Sequence, residues 1–330
     1  MNRRLVFILI TVDIAVALGA LAWWWTRPAA ISSPLGTAPA QFSGEQAMEH
    51  VQAQMAFGPR PTGSAANRQT GHYILAALKS AGWQTETQEF TYLDTPVRNI
   101  IGKAAVGRGP VIIIGAHYDT RRRADQDKQN PQAPMPGAND GASGVAVLLE
   151  LARTLNTQTL HNEVWLAFFD AEDNGDLDGW QWIVGSRHMA DTLTVTPQAM
   201  ILADMIGDAD QQIYYDANSN AALSAQLFKL AAGLGYGAQF IPAPKYAMED
   251  DHTPFAERGI PAVDLIDFDY PYWHTTQDTA DKLSAASLER VGRVLEVYLE
   301  QTDAVSKTAP VLAASSPLRF AQFGVRYGSP

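Results

Sequence analysis

The chain has 330 residues, 46% of them hydrophobic and 18% charged, which is ample apolar material for a large globular core. Its formal net charge of -11 argues against nucleic acid as a partner, because a phosphate backbone calls for a basic face. Cysteine is absent, so disulfides, thiolate-held zinc and thiol nucleophiles are excluded, and any metal must sit on His, Asp or Glu.

In chain order, Arg3 and Arg4 precede an apolar run over residues 5–25 that closes with Trp23, Trp24 and Trp25. About 20 apolar residues span a bilayer as a helix, and tryptophans suit its interface. Asp13 costs roughly 2.5–3.5 kcal/mol in such a helix, which the rest of the run offsets. The run has no convincing small-x-small cleavage site before the tryptophans, so residues 1–27 read as one transmembrane anchor. The basic residues precede the run, which puts the body on the extracytoplasmic side. Residues 28–42, rich in Pro, Ala, Ser and Gly, read as a linker, residues 43–306 as the folded body and residues 307–330 as a loosely attached tail.

Within the body, helices are expected at 43–57, with Ser43 as N-cap, and at 65–80, followed by antiparallel strands at 84–92 and 97–103. A short, fully apolar run at 111–115 and similar runs at 164–169, 200–203 and 262–266 read as strands buried on both faces. Helical stretches near 143–155, 186–192 and 221–234 separate them, and a last helix covers 285–303. This alternation predicts a three-layer α/β/α fold with a mixed, mainly parallel central sheet.

Sites in such sheets form at the carboxyl ends of the strands. Here the first buried run leads into His117 and Asp119, the second into Glu172 and Asp173, the third into Asp204, and the fourth is followed by Trp273 and His274. A glycine-rich turn, GANDGASG, sets Asp140 just before a helix. Taken singly, each has an ordinary structural explanation: a surface histidine, an N-cap, a solvated pair. Gathered at one sheet edge, these carboxylates and imidazoles would repel or stay unpaired without a cation. Ligands of this kind suit zinc with an open position, and Asp119 is placed to orient His117 from behind.

The blocks GPRPTGS (58–64), GAHYDT (115–120), GANDGASGVAVLLELAR (137–153), FFDAED (168–173), GSRHMA (185–190), DMIGD (204–208), DDHTPF (250–255) and YWHTTQDTADKLS (272–284) resemble metallopeptidase family 28. The likeness runs collinearly from about residue 44 to 303. That family comprises zinc aminopeptidases and, as an offshoot, glutaminyl cyclases of the animal and bacterial α/β type. The aminopeptidase pattern implies one zinc on His117 and Asp204, a second on Asp173 and His274, Asp140 bridging the two and Glu172 as general base. The cyclase pattern implies a single zinc on Asp140, Asp173 and His274, with Glu172 as proton shuttle.

Three details tip the resemblance toward the cyclases, the closest branch: Trp273 directly before His274, the double acid Asp250-Asp251 before His252, and the GSRHMA run. On that pattern Asp204 and Asp251 assist Glu172, while Trp273, with Trp180 or Trp182, lines a slot for a glutamine side chain. The substrates implied are peptide or protein N-termini. The second expectation is a di-zinc aminopeptidase. A third, an inactive ectodomain used for binding, is opposed by retention of every ligand position and of Glu172.

Overall fold

A computed structural model describes residues 40–301. The expected anchor at 1–27, most of the linker and the tail at 307–330 lie outside the described residues. No described helix is long and apolar enough to cross a membrane.

The described chain forms helices α1 (Gly44–Met55), α2 (Ala65–Ser80), α3 (Ala142–Thr154), α4 (Val184–Thr192), α5 (Ala221–Gly233), α6 (Thr253–Glu257) and α7 (Ala285–Gln301). The strands are β1 (Gln84–Tyr92), β2 (Thr95–Ala104), β3 (Val111–His117), β4 (Glu163–Phe169), β5 (Ala199–Asp204), β6 (Ile213–Asp216), β7 (Phe240–Tyr246) and β8 (Ala262–Ile266). Six strands make the main sheet in the order β1-β2-β4-β3-β5-β8. β1 and β2 are an antiparallel hairpin joined antiparallel to β4, whereas β4, β3, β5 and β8 run parallel. The mixed, mainly parallel sheet expected from the sequence is present. β6 and β7 form a separate parallel pair that the sequence pattern did not reveal.

The apolar runs are buried on both faces because alternate side chains serve different cores. Ile112 and Ile114 of β3 pack with α1, α2, α3, α5 and α7, in a cluster that includes Val51, Leu78, Leu148, Leu227 and Leu295. Val111 and Ile113 join Phe169, Met189 of α4 and Phe255 of α6 on the other side. Ser43 caps α1 as expected, its hydroxyl accepting from Gln46 N–H at 3.3 Å. Phe42, assigned to the linker by composition, is buried against Gly292 instead, so the folded body begins before Ser43.

One close approach fixes where α3 starts. A Cβ at Gly144 would stand 2.1 Å from the carbonyl oxygen of Ala203 and 2.9 Å from Ala116 Cβ. The first turn of α3 therefore rests directly on β5 and β3, which carries Asp140 to the sheet edge. Gly144→Ala gains helix propensity of about 1 kcal/mol, but the overpacking costs about 1–3 kcal/mol. A lowered urea midpoint is the expected outcome, and an unchanged or raised midpoint would contradict this contact.

Candidate metal centre

The strand ends bring together the residues that the sequence singled out. His117 is the last residue of β3, Asp204 the last of β5, and Glu172 and Asp173 follow β4. Asp140 precedes α3, and His274 lies in the loop after β8. Two buried triads result, His117–Asp140–Asp204 and Asp140–Asp173–His274, sharing Asp140. His117 Nε2 is 3.2 Å from Asp140 Oδ1 and 3.1 Å from Asp204 Oδ1. His274 Nε2 is 3.5 Å from Asp140 Oδ2 and 3.0 Å from Asp173 Oδ1. Each oxygen of Asp140 thus faces one imidazole.

Those spacings suit zinc. With ligand bonds of about 2.0–2.1 Å, tetrahedral neighbours stand about 3.3 Å apart. Both oxygens of Asp173 are buried without a hydrogen-bond partner, and their proximity to Asp140 requires positive charge nearby. The residues present therefore fit a divalent cation, and the unpartnered carboxylate oxygens lie in the Asp140–Asp173–His274 set.

Two other buried carboxylates hold the turns that carry Glu172, Asp173 and Asp140. Asp119 accepts from Glu172 N–H (3.1 Å), Asp173 N–H (3.3 Å) and the Thr62 hydroxyl (3.1 Å), and its Oδ1 is 3.7 Å from His117 Nδ1. Its expected place behind His117 is observed, with a second task in bracing the Glu172–Asp173 turn. Asp278 accepts from Asn139 N–H (2.8 Å) and Asp140 N–H (3.1 Å) and takes a hydrogen bond from the Tyr270 hydroxyl at 2.7 Å. Gly141 follows at φ 100°, a conformation that L side chains rarely adopt. The backbones of Ala171, Met205 and His274 are also left-handed, at φ 61°, 45° and 54°. Strain of this kind, about 1–3 kcal/mol per residue, persists where surrounding bonds over-determine it.

A cavity of about 270 Å³ opens on the second triad. Glu172, Asp204 and Asp250 reach its wall, and Trp182, Trp273, Phe268, Met205 and Ile266 supply the apolar part. Trp182 lies parallel to the His274 ring at 6.0 Å between centroids, and Trp273 stacks on the same ring at 3.7 Å. Trp180 is not brought to this cavity. It packs edge-on against Tyr92 in a small cluster with Val97, Ala171 and Val184. Asp251 is fully buried and does not line the cavity, so it reaches Glu172 through its field. Sequence reasoning missed Asp278, Arg121, Asp125 and the Met248–Phe268 side of the wall. Asp278 sat inside a quoted block, but no spacing signals that it braces a turn 138 positions away.

Burial raises the Glu172 carboxyl well above its ordinary range, and Asp173, Asp250 and Asp251 add to this against the pull of His117. Burial and the Asp140 charge push Asp173 up to about 6, and burial is the main reason Asp251 rises to about 7. Asp140 moves the other way: burial opposes its ionisation, but His117, His274 and Arg121 outweigh it. Burial would lower the His117 imidazole, yet Asp204, Asp119 and Asp140 hold it well above its usual value.

A mixed α/β sheet with two carboxylate–histidine triads at its carboxyl edge is the architecture of a metal-dependent enzyme. The model of peptidase family M28 matches residues 99–299, and the chain belongs to that family, as its sequence blocks suggested. Among solved structures, the glutaminyl cyclase of Porphyromonas gingivalis superposes with a TM-score of 0.75 at 32% identity, over 80% of this chain and 100% of that one. A zinc-dependent exopeptidase from Parabacteroides distasonis gives 0.75 at 30%, over 80% and 100%. A glutaminyl-peptide cyclotransferase-like protein of Bos taurus is 27% identical over 282 residues, 73% of this chain and 72% of its own length.

The raised carboxyls predict how metal removal changes stability. In an unfolded chain they lose their protons near pH 4, whereas the folded, metal-free chain keeps those of Asp173 and Asp251 to about 6 and about 7. Between these values the folded state binds more protons, so its stability falls as pH rises. A cation at Asp140 and Asp173 replaces the proton on Asp173. Thermal melts of zinc-loaded and metal-stripped protein should therefore separate increasingly from pH 5 to 7.5, and a gap that is constant or narrows contradicts the site.

Proposed function

We propose that this chain is a zinc-dependent glutaminyl-peptide cyclotransferase, converting N-terminal glutamine of peptides to pyroglutamate with release of ammonia. The observation that carries the reading is the aromatic wall on the Asp140–Asp173–His274 triad. Trp182 and Trp273 flank the His274 imidazole and, with Phe268, give a small apolar slot that ends at the carboxylates. The slot is suited to one short amide side chain. The similarity to the Porphyromonas gingivalis cyclase and to the cyclotransferase-like protein of Bos taurus supports it.

Asp140, Asp173 and His274 would hold the zinc, which when bound supplies Lewis acidity to the γ-carbonyl of the glutamine. The α-amine of the substrate attacks that carbonyl, and the C–N bond to the side-chain nitrogen breaks. Glu172 belongs to neither triad and is free to move protons: it takes one from the amine and gives it to the departing nitrogen as ammonia forms. Such transfer is worth typically about 10²–10⁴-fold. Burial and neighbouring acids raise Glu172, which favours its protonated form as donor. Asp204 and Asp251 position Glu172 and the ammonium through their charge. Trp273 and Trp182 exclude water from the slot.

A second reading, di-zinc aminopeptidase, is favoured by the His117–Asp140–Asp204 triad and by an equal superposition with the Parabacteroides distasonis exopeptidase. In the cyclase reading that triad is satisfied by a proton on His117 instead, which its three acidic neighbours favour. The apolar run at residues 5–25 supports an anchored enzyme whose body works on the extracytoplasmic side.

The purified protein, given an N-terminal glutamine amide of a chromophore, should release ammonia and leave the chromophore attached. A freed chromophore would establish the aminopeptidase reading, and neither product from zinc-loaded protein would leave only a binding role. Metal analysis should give one zinc per chain. Glu172→Gln should retain that zinc and lose about 10²–10⁴-fold in kcat, whereas Asp140→Ala should lose the zinc itself. Full activity of Glu172→Gln would remove the proposed proton path.

A further inference from the structure

His274 is gripped by the loop that follows β3, and by three separate groups within it. Gln126 N–H donates to the His274 carbonyl at 3.2 Å. The Asp127 carboxylate accepts from Thr276 N–H at 3.0 Å and from the Thr276 hydroxyl. Asp125 Oδ1 faces His274 Nδ1 at 3.5 Å, an ion-pair distance. These contacts brace a residue whose φ of 54° is otherwise disfavoured.

Asp125 is itself held in place. Arg121, buried, donates from Nε and Nη2 to its two oxygens at 2.6 and 2.9 Å. The same guanidinium donates to the carbonyls of Asp173 and Gly175, each at 3.2 Å, and lies 4.7 Å over the Trp182 ring. One side chain therefore ties together the Asp173 turn, the aromatic wall and the carboxylate behind His274. The arrangement parallels the other triad, where Nε2 of His117 faces Asp140 and its Nδ1 faces Asp119 at 3.7 Å.

We propose that Asp125, oriented by Arg121, is the positioning residue of the His274 metal site. Its charge faces Nδ1, favours the proton on that nitrogen, keeps the Nε2 lone pair toward Asp140 and Asp173, and thereby sets how tightly the site holds its cation. The inference rests on the reading of Asp140, Asp173 and His274 as the zinc centre. It also gives the run RRRADQD a purpose beyond that of a solvated loop.

The test is zinc affinity of the full chain, measured by competition with a chromophoric chelator, alongside the melting temperature of the metal-free protein. Asp125→Ala should bind zinc about 10–100-fold more weakly. It also strands the Arg121 charge, so Asp125→Asn serves as the second variant. Asn preserves shape and a hydrogen bond to Arg121 but removes the charge behind the imidazole. Asp125→Asn should melt, metal-free, close to wild type and still bind zinc about 10-fold or more weakly. Wild-type affinity in Asp125→Asn would overturn the role of Asp125 while leaving the zinc centre standing. Failure of the wild-type protein to bind zinc at all would overturn the centre, and this inference with it.

Discussion

The sharing of Asp140 between two imidazoles is the constraint around which the described fold is arranged. Its carboxylate sits 3.2 Å from His117 and 3.5 Å from His274, with Asp173 and Asp204 on either flank. Acids this close and this deeply buried are tolerated only with compensating positive charge, supplied by imidazolium, by Arg121 or by a cation. Everything nearby serves to keep the arrangement from relaxing. Gly144 lets α3 approach β5, Gly141 turns the chain past Asp140, and Asp278 pins the turn from below through two backbone N–H groups.

Positioning falls to residues outside the two triads. Asp119 braces the turn after β4, Asp278 the turn before α3, and the Arg121–Asp127 loop the segment around His274. Asp119, Asp278 and Asp127 each do so as a carboxylate accepting backbone N–H, a strong bond type where the local dielectric is low. Left-handed backbones at Ala171, beside the Asp119-held turn, and at His274 show what these braces must offset. Rigid strands set the coarse positions, and the braces supply the last ångström that cation binding and proton transfer demand.

Much of this was legible in the sequence because the parallel strands of the main sheet are written in short, largely apolar runs that lead into ionisable residues. Val111–His117 and Ala199–Asp204 each state a buried strand and then an ionisable residue of the site. β6 and β7 escaped notice because β7 contains Pro242 and Pro244 and is largely exposed, which gives neither an apolar run nor a clean alternation. Arg121 and Asp125 escaped for a different reason. Consecutive charges resemble a solvated loop, and only the fold shows that Arg121 is buried beneath Trp182. Trp180 and Trp182, two positions apart, looked equivalent, yet one packs on Tyr92 and the other on His274.

The chemistry of the site turns on where a cation binds. Crystals of the zinc-loaded protein, measured on both sides of the zinc absorption edge, should show an anomalous peak within about 2.0–2.2 Å of Asp140 Oδ2, Asp173 Oδ1 and His274 Nε2. A map with no peak among those three atoms, or with its zinc bound elsewhere, would contradict it.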